Sequence, residues 1–348
     1  QCHHEQQNER GIRDALGDRP QVTTFAKGLK VPNGVAFHQG ALYVAEQRQI
    51  VRFPQAERAS AGPRVPEVIS TEFPYKNGLH AWKYLAFGPD GKLYVPVGAP
   101  CNICDEKEFG LILRMNPDGS GREVVARGVR NSVGMSWHPQ TGELWFTDNG
   151  RDMLGDDLPA CELNRMSATG LDFGFPYCHG GDLPDPEFGV LGSCAKAEPP
   201  VQKLGPHVAP LGVRFYTGNM FPPEYRNQVF IAEHGSWNRS KGVPRTGYRI
   251  SLVRLKGNSA VSYETFAEGW LEGDKVLGKP VDLLVCSDVM HYLTADELLR
   301  GLAEFSRLCS GVAFLEVFAE GDDIIGDLQE MRRRPAAWYR RTFAKAGF

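Results

Sequence analysis

Two short apolar strands around a glycine-bearing turn recur along most of this chain. Their spacing limits the possible folds more than any other feature. The first copy is Asn33-Gly34-Val35-Ala36-Phe37, then Ala41-Leu42-Tyr43-Val44, closed by Gln49-Ile50-Val51-Arg52-Phe53. It returns as Tyr84-Leu85-Ala86-Phe87, a Pro89-Asp90-Gly91 turn, Leu93-Tyr94-Val95 and Leu111-Ile112-Leu113-Arg114-Met115. The third copy is Gly134-Met135-Ser136-Trp137, a His138-to-Gly142 turn, Leu144-Trp145-Phe146 and Glu162-Leu163-Asn164-Arg165-Met166, so that Phe37, Phe87 and Trp137 stand fifty residues apart. A fourth, formed by Gly212 to Tyr216, Gln228 to Ile231 and Tyr248 to Leu255, comes late because a loop from Leu171 to Gly205 intervenes. The stretch from Val261 to Val285 reads as the opening of a fifth. Several strands in each unit of this length are the signature of a β-propeller, and the expected fold is a mostly β, incomplete propeller of four to five blades. Packed sandwich sheets would not repeat an aromatic at a fixed interval.

The exit of the third hairpin is unlike a sheet. Asp148-Asn149-Gly150-Arg151-Asp152 and Gly155-Asp156-Asp157 form a polar loop where a strand end delivers it to a rim. Loops on a rigid scaffold carry function, although a single loop of this kind is more often a solvated acidic turn. The net charge of −3 gives no basic footprint, so nucleic acid is not an expected partner. No run of 18 apolar residues is present, so no membrane span is expected. The 39 glycines and 24 prolines gather at turns, as a turn-rich β protein requires.

Cys101 and Cys104 form a C-x-x-C with no histidine after it, which excludes covalent haem attachment. Cys178 and Cys194 bracket a loop rich in Gly, Pro and Asp, and no further pair sits at zinc-ribbon spacing. Two local disulfides in an oxidising compartment are expected, leaving Cys2, Cys161, Cys286 and Cys309 without evident partners. The chain opens on Gln1 without a signal peptide and reads as trimmed or partial. Residues 1–20 are polar with no strand alternation, and His3-His4 belongs to a frayed end rather than a metal site.

Near Val281 the texture changes. Val281 to Cys286 is an apolar strand. Thr294 caps a helix that continues through Leu298, Leu299, Leu302, Phe305 and Leu308. Gly311 to Phe318 is a second strand, and Leu328 to Ala346 a basic helix broken by Pro335. This β-α-β-α order suits a parallel α/β layer. Three segments follow: a polar start at 1–20, a propeller over 21–281 and an α/β tail over 282–348.

Residues from about Val22 to Asp282 resemble the soluble sugar dehydrogenases that use pyrroloquinoline quinone (PQQ), in their aldose and sorbosone branch. The resemblance rests on His80-Ala81-Trp82-Lys83-Tyr84-Leu85, Gly91 to Cys101, Gly128-Val129-Arg130-Asn131, Thr147 to Asp152, Phe173 to Gly181 and Ala232 to Ser240. It implies oxidation of a sugar hydroxyl or aldehyde by hydride transfer to PQQ with Ca2+. A small-molecule sugar, an external electron acceptor and a periplasmic or secreted location come with it. By motif position His80 resembles the general base, suited by an imidazole that titrates near neutrality. Arg130, with Asn131 beside it, resembles the cation that polarises the quinone carbonyl. Without the resemblance, His80 reads as a hydrogen-bonded rim histidine and Arg130 as a surface ion pair.

The backbone carbonyls of Gly150 and Arg151 resemble those that ligate calcium. Asp156, Asp157 and Glu162 are hard-oxygen candidates for that ion or a second one, Glu162 alternatively facing solvent. PQQ bears three carboxylates, for which Lys279, Arg239 and the His234-Gly235-Ser236 turn are candidates. Trp82 and Trp237 either stack on the flat cofactor or are buried blade tryptophans. This chain departs from the family in having Leu79-His80-Ala81 where two histidines and a glycine are usual, Lys279 in place of arginine, and fewer than the six blades the family closes.

The tail from Asp282 resembles the C-terminal half of a class I S-adenosylmethionine methyltransferase. Asp282 to Leu293 matches its fourth strand, Thr294 to Ser310 the next helix, Gly311 to Glu320 the fifth strand and Pro335 to Phe348 the helix after it. No glycine-rich strand-to-helix turn for the methyl donor precedes it, so methyl transfer by this chain alone is not expected. The chain reads as a hybrid joined at Val281 to Val285. The alternatives to a dehydrogenase are a catalytically dead binding propeller and a methyltransferase fragment without its donor-binding half.

Overall fold

The computed structural model describes residues 9–13, 21–56, 64–76, 79–218 and 221–280, and in the tail 283–286, 295–296, 298–299, 302, 312–315 and 334–345. Four antiparallel sheets follow one another along the chain, each a meander in which successive strands lie side by side. The first comprises Val35–His38, Ala41–Ala45, Ile50–Phe53 and Glu67–Ser70. The second is Ala86–Phe87, Leu93–Val97, Leu111–Met115 and Glu123–Arg127. The third contains Gly134–Trp137, Leu144–Asp148, Ala160–Met166 and Gln202–Pro206, and the fourth Pro210–Phe215, Val229–Glu233, Arg249–Lys256 and Ser259–Ala267.

Successive residues of a strand point to opposite faces, so one strand serves two layers. In the first sheet Ala41, Tyr43 and Ala45 face Leu93, Val95 and Val97 of the second. Tyr94 turns the other way and packs with Leu144 and Phe146 of the third. Trp145, between those two, points at Val229 and Ile231 of the fourth. Phe230 and Ala232 face outward again, under Tyr216 and Phe266. Sheets stacked face to face in chain order are the blades of a propeller. Near the inner strands the blades meet backbone to backbone: a Cβ at Gly134 would lie 1.9 Å from the carbonyl oxygen of Leu211, so only glycine fits. Trp145 is 0% exposed, and truncating it to Ala would cost about 3–5 kcal/mol.

Three expectations are corrected. Ser259–Ala267 does not open a fifth unit; it pairs along its length with Arg249–Lys256 and completes the fourth sheet. The tight turn at Gly257-Asn258 leaves it no span in which to reach a new sheet. The polar N-terminal segment does contain a strand, Glu9–Arg13, paired antiparallel with Gln21–Ala26, because backbone pairing at an edge needs no apolar alternation. The long loop after the third sheet also contributes strands: Leu171–Asp172 lies parallel to Ala126–Arg127 of the second sheet, and Gln202–Pro206 closes the third.

The first sheet's far face is covered in part by Phe25, Ala26 and Leu29, and leaves Val35 58% and Phe37 52% exposed. In the tail, Leu283–Cys286 pairs parallel with Val312–Leu315, as a β-α-β crossover requires. The helix expected between them is described only at 295–296, 298–299 and 302, and the last helix runs Ala336–Lys345, directly after Pro335. Expectations for His3, His4, Cys2, Cys309 and the loop at 287–294 fall outside the described residues.

Candidate active site

The loops at one end of the second, third and fourth sheets meet around His80, Arg130 and Gly150. His80 sits in the turn entering the second sheet with φ +50°, a left-handed conformation that strains a side-chain-bearing residue. Gly98 makes room for it: a Cβ there would stand 2.7 Å from His80 Cβ. His80 Nδ1 lies 2.7 Å from the Ala99 carbonyl. A carbonyl only accepts, so Nδ1 carries the hydrogen, and Nε2, which has no hydrogen-bond partner among the described residues, keeps its lone pair. Burial, then the Arg130 charge, lowers the His80 pKa to about 4, the bond to Ala99 opposing. The imidazole is therefore neutral and able to accept a proton throughout the physiological range. Behind the turn the buried Lys83 donates to the carbonyls of Gln47 (2.6 Å) and Ala81 (3.1 Å), fixing the chain next to His80.

Arg130 is one residue pair away, its carbonyl accepting from Ala99 N at 2.8 Å. Its side chain is 4% exposed and every edge of the guanidinium is used. Nε donates to the Asn102 carbonyl (2.9 Å) and Nη1 to the carbonyls of Asn149 (3.3 Å) and Gly150 (2.9 Å). Nη2 donates to Asn102 Oδ1 (2.9 Å) and Asp152 Oδ2 (3.1 Å). Below, the Asp148 carboxylate accepts from the successive backbone N–H groups of Arg130 (2.8 Å) and Asn131 (2.6 Å). Asp148 faces Glu162 across the third sheet, and both are buried. Burial, and then the Glu162 charge, pushes Asp148 upward, and burial does the same to Glu162.

The other candidates separate around this centre. The Arg151 side chain turns away to Asp185 and Glu187, so it cannot also clasp a ligand. Asp185, wholly buried, also binds His179 Nε2 at 2.9 Å. Burial pushes Asp185 upward, but the bonds from His179, Phe188 N, Arg151 and Glu187 N outweigh it and hold the pKa at about 2. Asp156 and Asp157 lie on the loop beyond and serve Arg239, whose Nη1 donates to the Asp156 carbonyl (2.6 Å) and whose Nη2 reaches Asp157 at 3.4 Å. Glu162 does not face solvent: it accepts from Gly180 N of the long loop (2.7 Å) and from Asn164 Nδ2 of its own strand (2.9 Å). Asp156, Asp157 and Glu162 thus do not converge, and no cluster of three His, Cys, Asp or Glu side chains suited to a metal occurs among the described residues.

His234 and Lys279 are close enough that burial and then the lysine charge lower the histidine pKa. Trp82 and Trp237 are 62% and 68% exposed, so neither is a buried blade residue. Asn238 donates to Asp152 Oδ1 at 2.6 Å, tying the fourth sheet's loop to the centre. Both expected disulfides are present, Cys101–Cys104 and Cys178–Cys194. Cys161 is a buried free thiol whose pKa burial raises to about 11, which makes it inert.

Sequence reasoning passed over Asn102, Lys83 and the clamp role of Asp148. The C-x-x-C frame drew attention to its cysteines, and nothing local marks the asparagine between them as a partner of Arg130.

Comparisons with known proteins bear on the family and the fold. The family model for glucose/sorbosone dehydrogenases matches residues 35–236, more than half of the chain. An uncharacterized protein of Borreliella burgdorferi is 36% identical over 292 residues, 79% of this chain and 76% of its own. The fold is shared with the calcium structure of a Trichoderma reesei carbohydrate-active enzyme of family AA12, at a TM-score of 0.62 and 18% identity over 81% of this chain and 82% of that one. It is shared also with the PQQ-bound aldose sugar dehydrogenase of Streptomyces coelicolor, at a TM-score of 0.52 and 23% identity over 76% of this chain and 77% of that one. A propeller whose rim carries these residues, matched over more than half its length by one family model, belongs to the glucose/sorbosone dehydrogenase family.

Proposed function

We propose that this chain oxidises a hydroxyl of an aldose or a sorbosone-like sugar, with PQQ as the resident hydride acceptor. The observation that carries the reading is the meeting of a neutral, base-ready histidine, a buried arginine and a carbonyl-lined turn at one mouth of the blades. His80 takes the hydroxyl proton at Nε2. Arg130, held in its socket, would direct positive charge toward the carbonyl oxygen of the hydride acceptor. PQQ, when bound, supplies the quinone that accepts the hydride.

The surroundings suit a flat trianion. Trp82 and Trp237 offer uncovered ring faces. Lys279 has no ion pair among the described residues, and Arg239 Nε and Asn238 Oδ1 are buried with no hydrogen-bond partner among them. Such atoms are costly to bury unpaired, and a ligand with donors and acceptors relieves them. Calcium belongs to the proposal through the Gly150 and Arg151 carbonyls alone. Arg130 takes one lone pair of the Gly150 oxygen and leaves the other. We assign residues 21–281 to this unit and treat 282–348 as a separate α/β segment with no part in the reaction. The two disulfides and the family favour the periplasm or the exterior, and no helix among the described residues is long and apolar enough to cross a membrane.

The test is reconstitution of the purified chain with PQQ and calcium, followed by dye reduction with a panel of aldoses and sorbosone. Sugar-dependent reduction that vanishes in His80→Asn supports the reading. Tight PQQ binding by calorimetry with no turnover on any sugar would replace it with a binding propeller.

A further inference from the structure

Residues 101–104 form a four-residue turn closed by the Cys101–Cys104 disulfide, with Cα atoms 6.1 Å apart. Asn102 lies inside this ring and takes two of the guanidinium's donors on its own. Its backbone carbonyl accepts from Arg130 Nε and its Oδ1 from Arg130 Nη2, both at 2.9 Å. The Asn102 amide is itself locked in both directions by one residue. Its Oδ1 accepts from Asp152 N at 2.7 Å and its Nδ2 donates to the Asp152 carbonyl at 2.8 Å. A flipped amide would set donor against donor and acceptor against acceptor, so the oxygen can face only Arg130.

Residues 100–105 make no backbone–backbone hydrogen bond among the described residues. The segment that supports Arg130 therefore belongs to no strand, and the disulfide is its covalent restraint. Cys101 and Cys104 are half-buried rather than buried, and Cys104 lines a cavity of about 440 Å³ together with Ala99, Asp105 and Tyr177.

We propose that Asn102 is the positioning residue for Arg130, and that the Cys101–Cys104 disulfide is a redox latch on the site, whose reduction loosens the Nε edge of the guanidinium. The step is thiol–disulfide exchange with an external dithiol. The S–S bond is broken, two cysteine thiols form, and the dithiol leaves as its own cyclic disulfide, two electrons and two protons having passed to the protein. With the ring open, the Asn102 carbonyl loses its fixed position and Arg130 loses the restraint on one edge of its fork. The catalytic consequence rests on the function proposed above; the loosening of Arg130 does not.

The experiment follows Arg130 directly. In protein labelled with ¹⁵N-arginine, the Nε–H signal of Arg130 is identified by its loss in Arg130→Lys, and its hydrogen exchange is timed. The expected result is exchange at least about tenfold faster in the double variant Cys101→Ser/Cys104→Ser and in Asn102→Ala. The same acceleration is expected on adding dithiothreitol to Cys178→Ser/Cys194→Ser, which has only the first disulfide to lose. Before dithiothreitol, that control exchanges like the wild type. In the reconstituted enzyme, kcat falls about a hundredfold in Asn102→Ala, as a misplaced reacting group predicts, while the sugar KM changes little. Unchanged Nε–H exchange in the folded serine double variant overturns the proposal. Should that variant fail to fold, Asn102→Ala and the dithiothreitol arm decide by the same signal. A wild type that turns over no sugar sinks the functional reading and leaves the exchange measurement to judge the latch.

Discussion

Two arginines on neighbouring loops are each held by a disulfide-closed segment, yet they are held for different ends. Arg130 is gripped by the Cys101–Cys104 turn through three carbonyls, one amide oxygen and a single carboxylate. Arg151 is gripped by the Cys178–Cys194 loop through two carboxylates, with His179 on the same Asp185 oxygen. Neutral dipoles orient a guanidinium without cancelling its charge, whereas paired carboxylates neutralise it. The first arrangement leaves a field that adds to burial, the larger cause, in lowering the His80 pKa. The second makes a lock between the loop at Gly150 and the long loop at 178–194. Burial and cation identity are nearly the same, so it is the partners that separate the arginine proposed to act on the reaction from the one that locks two loops.

The largest effect is expected at the lock. Asp185→Ala strands Arg151 and His179 in a buried site and should cost about 3–5 kcal/mol in urea unfolding. The wild type tests the same contact by acid. Asp185 is held at about 2, below its unfolded value of about 3.9, so its stabilisation is present above pH 4 and lost as pH falls through 2. A variant as stable as the wild type would dissolve the contrast between the two arginines.

Next comes Arg130→Met, expected to lower kcat/KM for sugar by about 10²–10³-fold in the reconstituted enzyme. A similar loss in Arg151→Met with full stability would show that the roles have been exchanged. The pH profile sharpens the comparison further. With His80 held at about 4, the acid limb of kcat/KM should lie near pH 4, since a protonated imidazole cannot act as base. In Arg130→Met the limb should move upward by part of the shift, because the repelling charge is gone while burial, the larger cause, remains; in Arg151→Met it should stay. The smallest effect concerns the two staples. By chain entropy the Cys101–Cys104 ring, of sequence separation 3, contributes ~2 kcal/mol and the Cys178–Cys194 ring, of separation 16, ~3 kcal/mol. Calorimetric unfolding of the two serine double variants should therefore favour the shorter ring, even though its loss harms the site more.

Much of the propeller was legible in the residues because alternation is a local property. Leu93-Tyr94-Val95 must bury both of its faces wherever it goes, and three copies fifty residues apart force three equivalent sheets. The same property misled at Val261, since a strand that closes one sheet alternates just as a strand that opens the next. Trp82 and Trp237 could not be assigned from their surroundings either: an aromatic is buried or bare according to what another segment places over it. Glu162 looked like an open carboxylate because one of its partners, Gly180, comes from a distant turn, and the other, Asn164, is the next residue on the same face of its strand.

His80, Arg130 and Gly150 could be named as candidates from motif and position alone, as could both disulfides and the β class. The chain's own alternation, turn residues and cysteine spacing pointed to the β class and the two disulfides, whereas the three site residues were named through the family resemblance of their motifs. Only the tertiary structure decided which of Arg130 and Arg151 is paired with two carboxylates and which is held mainly by neutral oxygens, that Asn102 carries Arg130, that Asp148 holds the turn from below, and that the fourth sheet ends where a fifth was expected. Each of those depends on a hydrogen bond or pairing between residues far apart in sequence. Such contacts exist only after the blades have stacked and brought their loops to a common rim.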